Sequence, residues 1–364
     1  MVTHEDWNVP ITPKAEKPSV KKEVFDNFDN QDGTSTGVFG SSADHAINEK
    51  FQFKLTATLP ASTDHAYDYY DTYAVCFKDT LSEGITYDGP DSVVIKSNNN
   101  THDTTIDPSK YTIDTKNLEN QNYFEVNIHD VKACAKDAGF DLNDGATITF
   151  TYTAHLNEKA TVNTTSGPTD NKNSVQLQYS NNPRPGDYWG TTPKSEVYVF
   201  TYQLNNTKYH DDDNPNNVLA GAGFRLYSNK DCTEEQEIKL KKNTTDGTYS
   251  PYFGTDAGDE MFSDEHGQFN VKGLDAGTYY LKETNPPKDY SACANKEIVI
   301  SATHDGNHVS LSGNLSTTII NKKDGGITLP STGGIGTTIF YVVGGGLMVA
   351  AIVLLVTKKR MENK

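Results

Sequence analysis

The uncharged run at residues 337–356 (TTIFYVVGGGLMVAAIVLLV) constrains this chain more than any other feature. At about 1.5 Å per residue it covers roughly the 30 Å hydrocarbon core of a bilayer. Three consecutive glycines weaken it as a soluble helix but are tolerated in a membrane. Lys358, Lys359 and Arg360 follow almost at once, and the sequence stops four residues later. Positive residues stay on the cytoplasmic side, so the sequence predicts a helix over 335–357, a basic cytoplasmic tail over 358–364, and everything before them outside.

The outer part reads as strands and turns. Tyr (20), Phe (15), Gly (28) and Pro (15) are plentiful, which excludes a coiled coil, a helical bundle and a polytopic membrane protein. The net charge of −17 excludes nucleic acid as a partner, since phosphate binding needs a basic face. Strand-like alternation appears at 51–59, 73–77, 92–95, 124–128, 146–155 and 174–179, with one helical stretch at 130–138. Residues 181–194 (NNPRPGDYWGTTPK) form a turn-rich passage, and a second set of strands runs from 197 to 321. The expected fold is all-β: two tandem β-sandwiches over 18–195 and 196–324, plus the C-terminal membrane helix.

Just ahead of the apolar run stand Leu329, Pro330, Ser331, Thr332 and Gly333. This pentapeptide, followed by a span and a short basic tail, resembles the LPXTG sorting signal of Gram-positive surface proteins. The resemblance assigns residues 325–334 to that signal. It implies that a sortase cuts between Thr332 and Gly333, holds Thr332 as a thioester, and passes it to an amine. The membrane helix then belongs only to the precursor, and the mature chain sits in the cell wall.

Segments 219–227 (LAGAGFRLY), 267–290 (GQFNVKGLDAGTYYLKETNPPKDY) and 317–322 (TTIINK) resemble the Cna-B type, prealbumin-like domain of Gram-positive pilins and adhesins. Strand parity supplies an independent argument, because residues two apart share a face. Tyr279, Leu281 and Glu283 share one, as do Ile319 and Asn321, and Lys208 follows Phe200, Tyr202 and Leu204. Polar groups on such faces must meet, since a lone buried charge costs several kcal/mol. The family carries an intramolecular Lys–Asn isopeptide bond assisted by an acid. The resemblance therefore implies a Lys208–Asn321 bond with Glu283 as the acid.

Segments 18–24 (PSVKKEV), 76–86 (CFKDTLSEGIT) and 173–183 (NSVQLQYSNNP) resemble the isopeptide-forming, Ig-like fimbrial domain of backbone pilins. Parity places Lys22 with Val20 and Val24, Asp79 with Val75 and Phe77, and Asn181 with Val175, Leu177 and Tyr179. The expected bond is Lys22–Asn181, assisted by Asp79. Lys21 and Asn182 point the other way. Such a bond ties first strand to last, so a pull along the chain bypasses the hydrogen-bonded core, and it resists reductant.

Residues 1–17 form an extended lead-in. Within it WNVPITPK (7–14) is a degraded match to the pilin motif, with Thr12 where Tyr is usual and Trp7 too close. The match implies that Lys14 is the amine attacking the thioester of a neighbouring subunit. The lead-in has no apolar signal-peptide core, which suggests a truncated or late-started sequence. Cys232 and Cys293 share the second domain and are a candidate disulfide; Cys76 and Cys134 share the first with a weaker case. No cofactor and no metal site is read, and Asp211–Asp213 with Asn214 are taken as a solvated loop.

The leading expectation is a structural subunit of a sortase-assembled, wall-anchored pilus, and not an enzyme: its self-catalysed crosslinks are single-turnover, and no GxSxG or HExxH constellation is present. The expected partners are a pilin-class and a housekeeping sortase, neighbouring subunits, peptidoglycan and a host surface or matrix protein. The membrane is a partner only of the precursor. The alternative is a monomeric wall-anchored adhesin, or a minor tip or base pilin, binding a host ligand.

Overall fold

A computed structural model describes residues 16–29, 35–183, 189–313 and 315–323. Lys14, the LPSTG pentapeptide and the apolar run fall outside the described residues. No helix among the described residues is long and apolar enough to cross a membrane.

Two β-sandwiches follow one another. In the first, one sheet orders its strands Ser35–Gly40, Ser19–Asp29, Lys50–Leu59, Ala146–Leu156, Ile85–Ser97 and Thr104–Thr105. The facing sheet orders Ser42–Asp44, Ser195–Phe200, Lys172–Ser180, Val75–Leu81, Tyr123–Ile128 and Tyr111–Asp114, with Trp189–Thr191 against Lys172–Ser180. Alternation explains the packing. In Lys50–Leu59 the residues Phe51, Phe53, Leu55, Ala57 and Leu59 are buried, and Ile148, Phe150, Tyr152 and Ala154 answer them from Ala146–Leu156. The predicted helix is present as Val131–Asp137, capped by the Asp130 carboxylate, which accepts from Lys132 N at 3.0 Å.

The second sandwich pairs a five-stranded sheet, ordered Leu240–Lys242, Tyr249–Pro251, Val271–Leu274, Tyr202–His210 and Ser316–Asn321, with a larger one. The larger sheet contains Gly223–Tyr227, Gly277–Asn285, Lys296–Asp305 and His308–Gly313. Tyr202–His210 and Ser316–Asn321 run parallel, with Lys208 opposite Ile319 and His210 opposite Asn321.

The boundary differs from the one expected at 195/196. Strand Ser195–Phe200 belongs to the first sandwich, where it pairs with Lys172–Ser180 and, in parallel, with Ser42–Asp44. Its apolar alternation reads equally well in either domain, and only its hydrogen-bond partners decide. Thr201 alone separates it from Tyr202–His210.

Candidate crosslinking sites

In the second sandwich, Tyr202, Leu204, Asn206 and Lys208 alternate inward along the first strand. Lys208 is fully buried, Asn321 is 1 % exposed and Glu283 is 6 % exposed. The Lys208 ammonium donates to Asn321 Oδ1, and Asn321 Nδ2 donates to Glu283 Oε1 at 2.7 Å. Lys208 Nζ lies 3.5 Å from the same Glu283 oxygen and 5.4 Å from the Phe224 ring centroid. Lys and Asn come from neighbouring parallel strands, while Glu283 reaches across from the facing sheet, where it pairs with Phe224. Burial pushes the Lys208 amine below its ordinary value, against the opposing pull of Cys293 and Glu283. Gly267 (φ +72°) lets the chain pass close: a Cβ there would meet the Lys208 carbonyl oxygen at 2.4 Å.

In the first sandwich, Lys22 (2 % exposed) and Asp79 (fully buried) meet across the two sheets. The Lys22 ammonium donates to Asp79 Oδ2 and, at 3.1 Å, to the Tyr152 hydroxyl. That hydroxyl donates to Asp79 Oδ1 at 3.0 Å. Phe53 and Tyr152 rings flank the amine at 4.9 and 5.1 Å. Burial lowers Lys22 to about 8 even against Asp79, and burial raises Asp79 even against Lys22. Both shifts favour the neutral amine and the protonated acid, the forms that acyl transfer to nitrogen needs.

The carboxamide in this site is Asn173, not Asn181. Asn173 is fully buried, and its Nδ2 donates to the Tyr152 hydroxyl. Its Oδ1 is buried without a hydrogen-bond partner. Asn181 lies past the end of Lys172–Ser180 and is exposed. Both asparagines share the parity of Val175, Leu177 and Tyr179, so parity alone does not separate them. Register does: Val175 stands opposite Asp79 and Asn173 opposite Leu81, which puts Asn173 at the depth of the acid. Lys21 faces outward and binds Glu23 at 2.6 Å.

Tyr152 had no place in the sequence reading. The signal was available, since it alternates inward with Ile148 and Phe150, but a buried tyrosine in a predicted strand does not announce a polar role.

The expected Cys232–Cys293 disulfide is absent. All four cysteines are free thiols. Cys232 Sγ accepts from Asn295 Nδ2 at 3.3 Å, whereas Cys293 sits beside the lysine site and its backbone N–H donates to Glu283 Oε2 at 2.8 Å. Burial pushes the Cys293 thiol up to about 11, which keeps it protonated and unreactive.

These geometries can be set beside known proteins. Residues 321–363 match the family model described as the LPXTG cell wall anchor motif. The chain carries a cell wall anchor. That places it at the surface of a Gram-positive bacterium. Residues 204–315 match the model of a prealbumin-like fold domain, SpaA. No curated protein matches. Among solved structures, a 35 kDa C-terminal fragment of the major pilin GBS80 of Streptococcus agalactiae is 21 % identical, with TM-score 0.58, over 84 % of this chain and all of that one. The group B streptococcus pilus 2b backbone protein is 23 % identical, with TM-score 0.53, over 79 % of this chain and 97 % of that one. Domains D2 and D3 of the major pilin SpaD from Corynebacterium diphtheriae are 19 % identical, with TM-score 0.53, over 85 % of this chain and all of that one. The wall-anchored chain thus shares the tandem-sandwich fold of these backbone pilins.

Proposed function

We propose that the anchored chain is a structural subunit of a sortase-assembled pilus, in which each sandwich carries an intramolecular Lys–Asn isopeptide bond. The observation that carries this reading is the pair of buried Lys–acid–Asn constellations, Lys22–Asp79–Asn173 and Lys208–Glu283–Asn321, each joining the first strand of its sandwich to a late one. The likeness in fold to backbone pilins supports it.

In each site the neutral lysine amine attacks the asparagine Cγ. The tetrahedral carbon then expels its Nδ2 as ammonia, and an amide to Nζ remains. The amine loses one proton to the acid, and the acid returns one to the leaving nitrogen, so the acid ends as it began. Glu283, already accepting from Asn321 Nδ2, is placed for the second transfer. Each site turns over once, so these residues act on their own chain and need no outside substrate.

Sortase cleavage at Thr332 and attack by Lys14 of the next subunit supply the filament's head-to-tail linkage, with the last subunit passed to peptidoglycan. Intact-mass spectrometry of the purified chain tests the crosslinks. Two bonds give a deficit of about 17 Da each from lost ammonia. Glu283→Ala and Asp79→Ala should each restore one increment; a full sequence mass for the parent chain rejects the bonds. For assembly, incubation with a pilin-class sortase should give SDS-resistant multimers that Lys14→Ala abolishes. A parent chain that is only ever transferred singly to the wall would favour the adhesin or minor-pilin reading.

A further inference from the structure

The seam between the sandwiches holds an unusual concentration of ionisable groups. Asp26 and Asp44 from the first sandwich gather around His304 from the second. This group is internally satisfied: the Tyr202 hydroxyl donates to Asp44 Oδ2 at 2.9 Å, and Ser42 Oγ pairs with His304 Nδ1 at 2.8 Å. Beside it lie His45, Glu49 and Asp275, where one buried ring nitrogen has no partner.

His45 is completely buried and stacked on Phe51, with ring centroids 4.2 Å apart and planes 3° from parallel. Its Nε2 sits 2.7 Å from the Phe25 carbonyl oxygen. A carbonyl can only accept, so Nε2 carries the proton. In the neutral ring, Nδ1 then presents a bare lone pair. That Nδ1 is buried without any hydrogen-bond partner, and the nearest anionic atom, Glu49 Oε1, is 3.6 Å away. A ring nitrogen fixed by an outer hydrogen bond from its other nitrogen is how metal-binding histidines are oriented. One ligand-capable atom each from His45, Glu49 and Asp275 lies within 4.8 Å of the others.

We propose that His45 Nδ1 and the carboxylates of Glu49 and Asp275 bind one divalent first-row transition cation, Zn2+ or Mn2+, which clamps the first sandwich to the second. An imidazole with two carboxylates suits these ions, whereas calcium and magnesium prefer all-oxygen shells. Bond lengths of about 2.0–2.2 Å require the three donors to draw slightly inward, and water completes the shell. The backbone already holds the parts in place. Ile47 N donates to the Gly273 carbonyl at 2.9 Å, and a Cβ on Gly273 would strike Ile47 Cδ1 at 2.5 Å. Glu49 Oε2 is steadied by Ala46 N at 2.9 Å, and Asp275 Oδ1 by Ala276 N at 2.7 Å. His45 and Glu49 stand four residues apart, but Asp275 lies more than two hundred residues further on, so the sequence does not place the three together.

The test uses the tag-free purified chain, stripped with EDTA and titrated separately with ZnCl2, MnCl2 and CaCl2. Calorimetry and elemental analysis after gel filtration read the stoichiometry. One equivalent of Zn2+ or Mn2+ is expected, with calcium binding much more weakly. His45→Gln and Asp275→Asn should each weaken binding on the order of 100-fold or more. Asp68→Asn, in the exposed His65–Asp68–Asp141 group elsewhere, should leave it unchanged. Each variant's folding is checked by thermal unfolding in EDTA, and Glu49→Gln replaces one that fails. No stoichiometric ion on the parent chain, calcium binding as tightly as zinc, or loss of the ion in Asp68→Asn would each overturn the site.

Discussion

The two lysine sites assemble the same three kinds of group by different geometry. In the second sandwich, Lys208 and Asn321 are neighbours in one sheet and already touch, and the acid arrives from the opposite sheet. In the first, lysine and acid touch across the two sheets, and the carboxamide is reached through the hydroxyl of Tyr152. The proposed bond would join adjacent strands of one sheet in the second sandwich, and sheet to sheet in the first. The requirement common to both is burial of an amine beside an acid and a carboxamide, not a fixed strand arrangement.

The largest expected effect comes from removing either proposed bond. Lys22→Ala and Lys208→Ala should each return one ammonia increment to the mass. Each should lower stability by roughly 4–5 kcal/mol, as opening a loop of over a hundred residues predicts. Urea unfolding of the two variants checks this, and near-equal losses would show that loop closure, not strand geometry, sets the gain.

Tyr152→Phe separates the sites. It removes the hydroxyl that touches amine, acid and carboxamide in the first and has no counterpart in the second. The first bond should form about tenfold or more slowly, with the second unaffected, in a time course of intact mass after refolding. Equal rates in parent and variant would reduce Tyr152 to a packing residue.

A smaller effect concerns the seam. Burial and Asp44 raise Asp26 from its ordinary 3.8 to about 6. Burial opposes the charge on His304, yet Asp44 and Asp26 outweigh it and raise its imidazolium. Both groups have raised folded values. Their stabilisation is full below their ordinary values and is lost as pH rises, for Asp26 through about 6 and for His304 through its value above 6.5. Asp44 runs the other way: its carboxyl is held low by His304 and Tyr202 against burial, and its contribution is lost in stronger acid. In EDTA, stability should therefore fall between pH 5 and 8. Asp26→Asn should flatten that slope by roughly 1–2 kcal/mol once solvent screening is allowed for. An unchanged slope would remove Asp26 from the account. The smallest expected effect is none: apart from the substitution's own mass, Asn181→Ala should leave the ammonia deficit and the stability as they are, while Asn173→Ala should cost one bond.

Much of this was legible in the sequence, and particular residues show where legibility stops. Period-two alternation located the inward faces of Lys22, Asp79, Lys208, Glu283 and Asn321, because burial on one side of a strand is a local property. It misplaced the carboxamide by eight residues, because the depth of a residue along its strand depends on register with a distant partner. The same cause moved the domain boundary, since Ser195–Phe200 chooses its sandwich by pairing. Tyr152 and the His45 group escaped because their roles exist only once residues far apart in sequence are brought together.

The single residue between the sandwiches has a practical outcome. Thr201 is fully buried, and its hydroxyl donates to the Leu274 carbonyl at 3.2 Å. Proteases need several residues of extended, accessible backbone to engage a substrate. A joint made of one sealed threonine between two strands offers no such foothold, so digestion must begin elsewhere on the surface and the two halves leave the enzyme together.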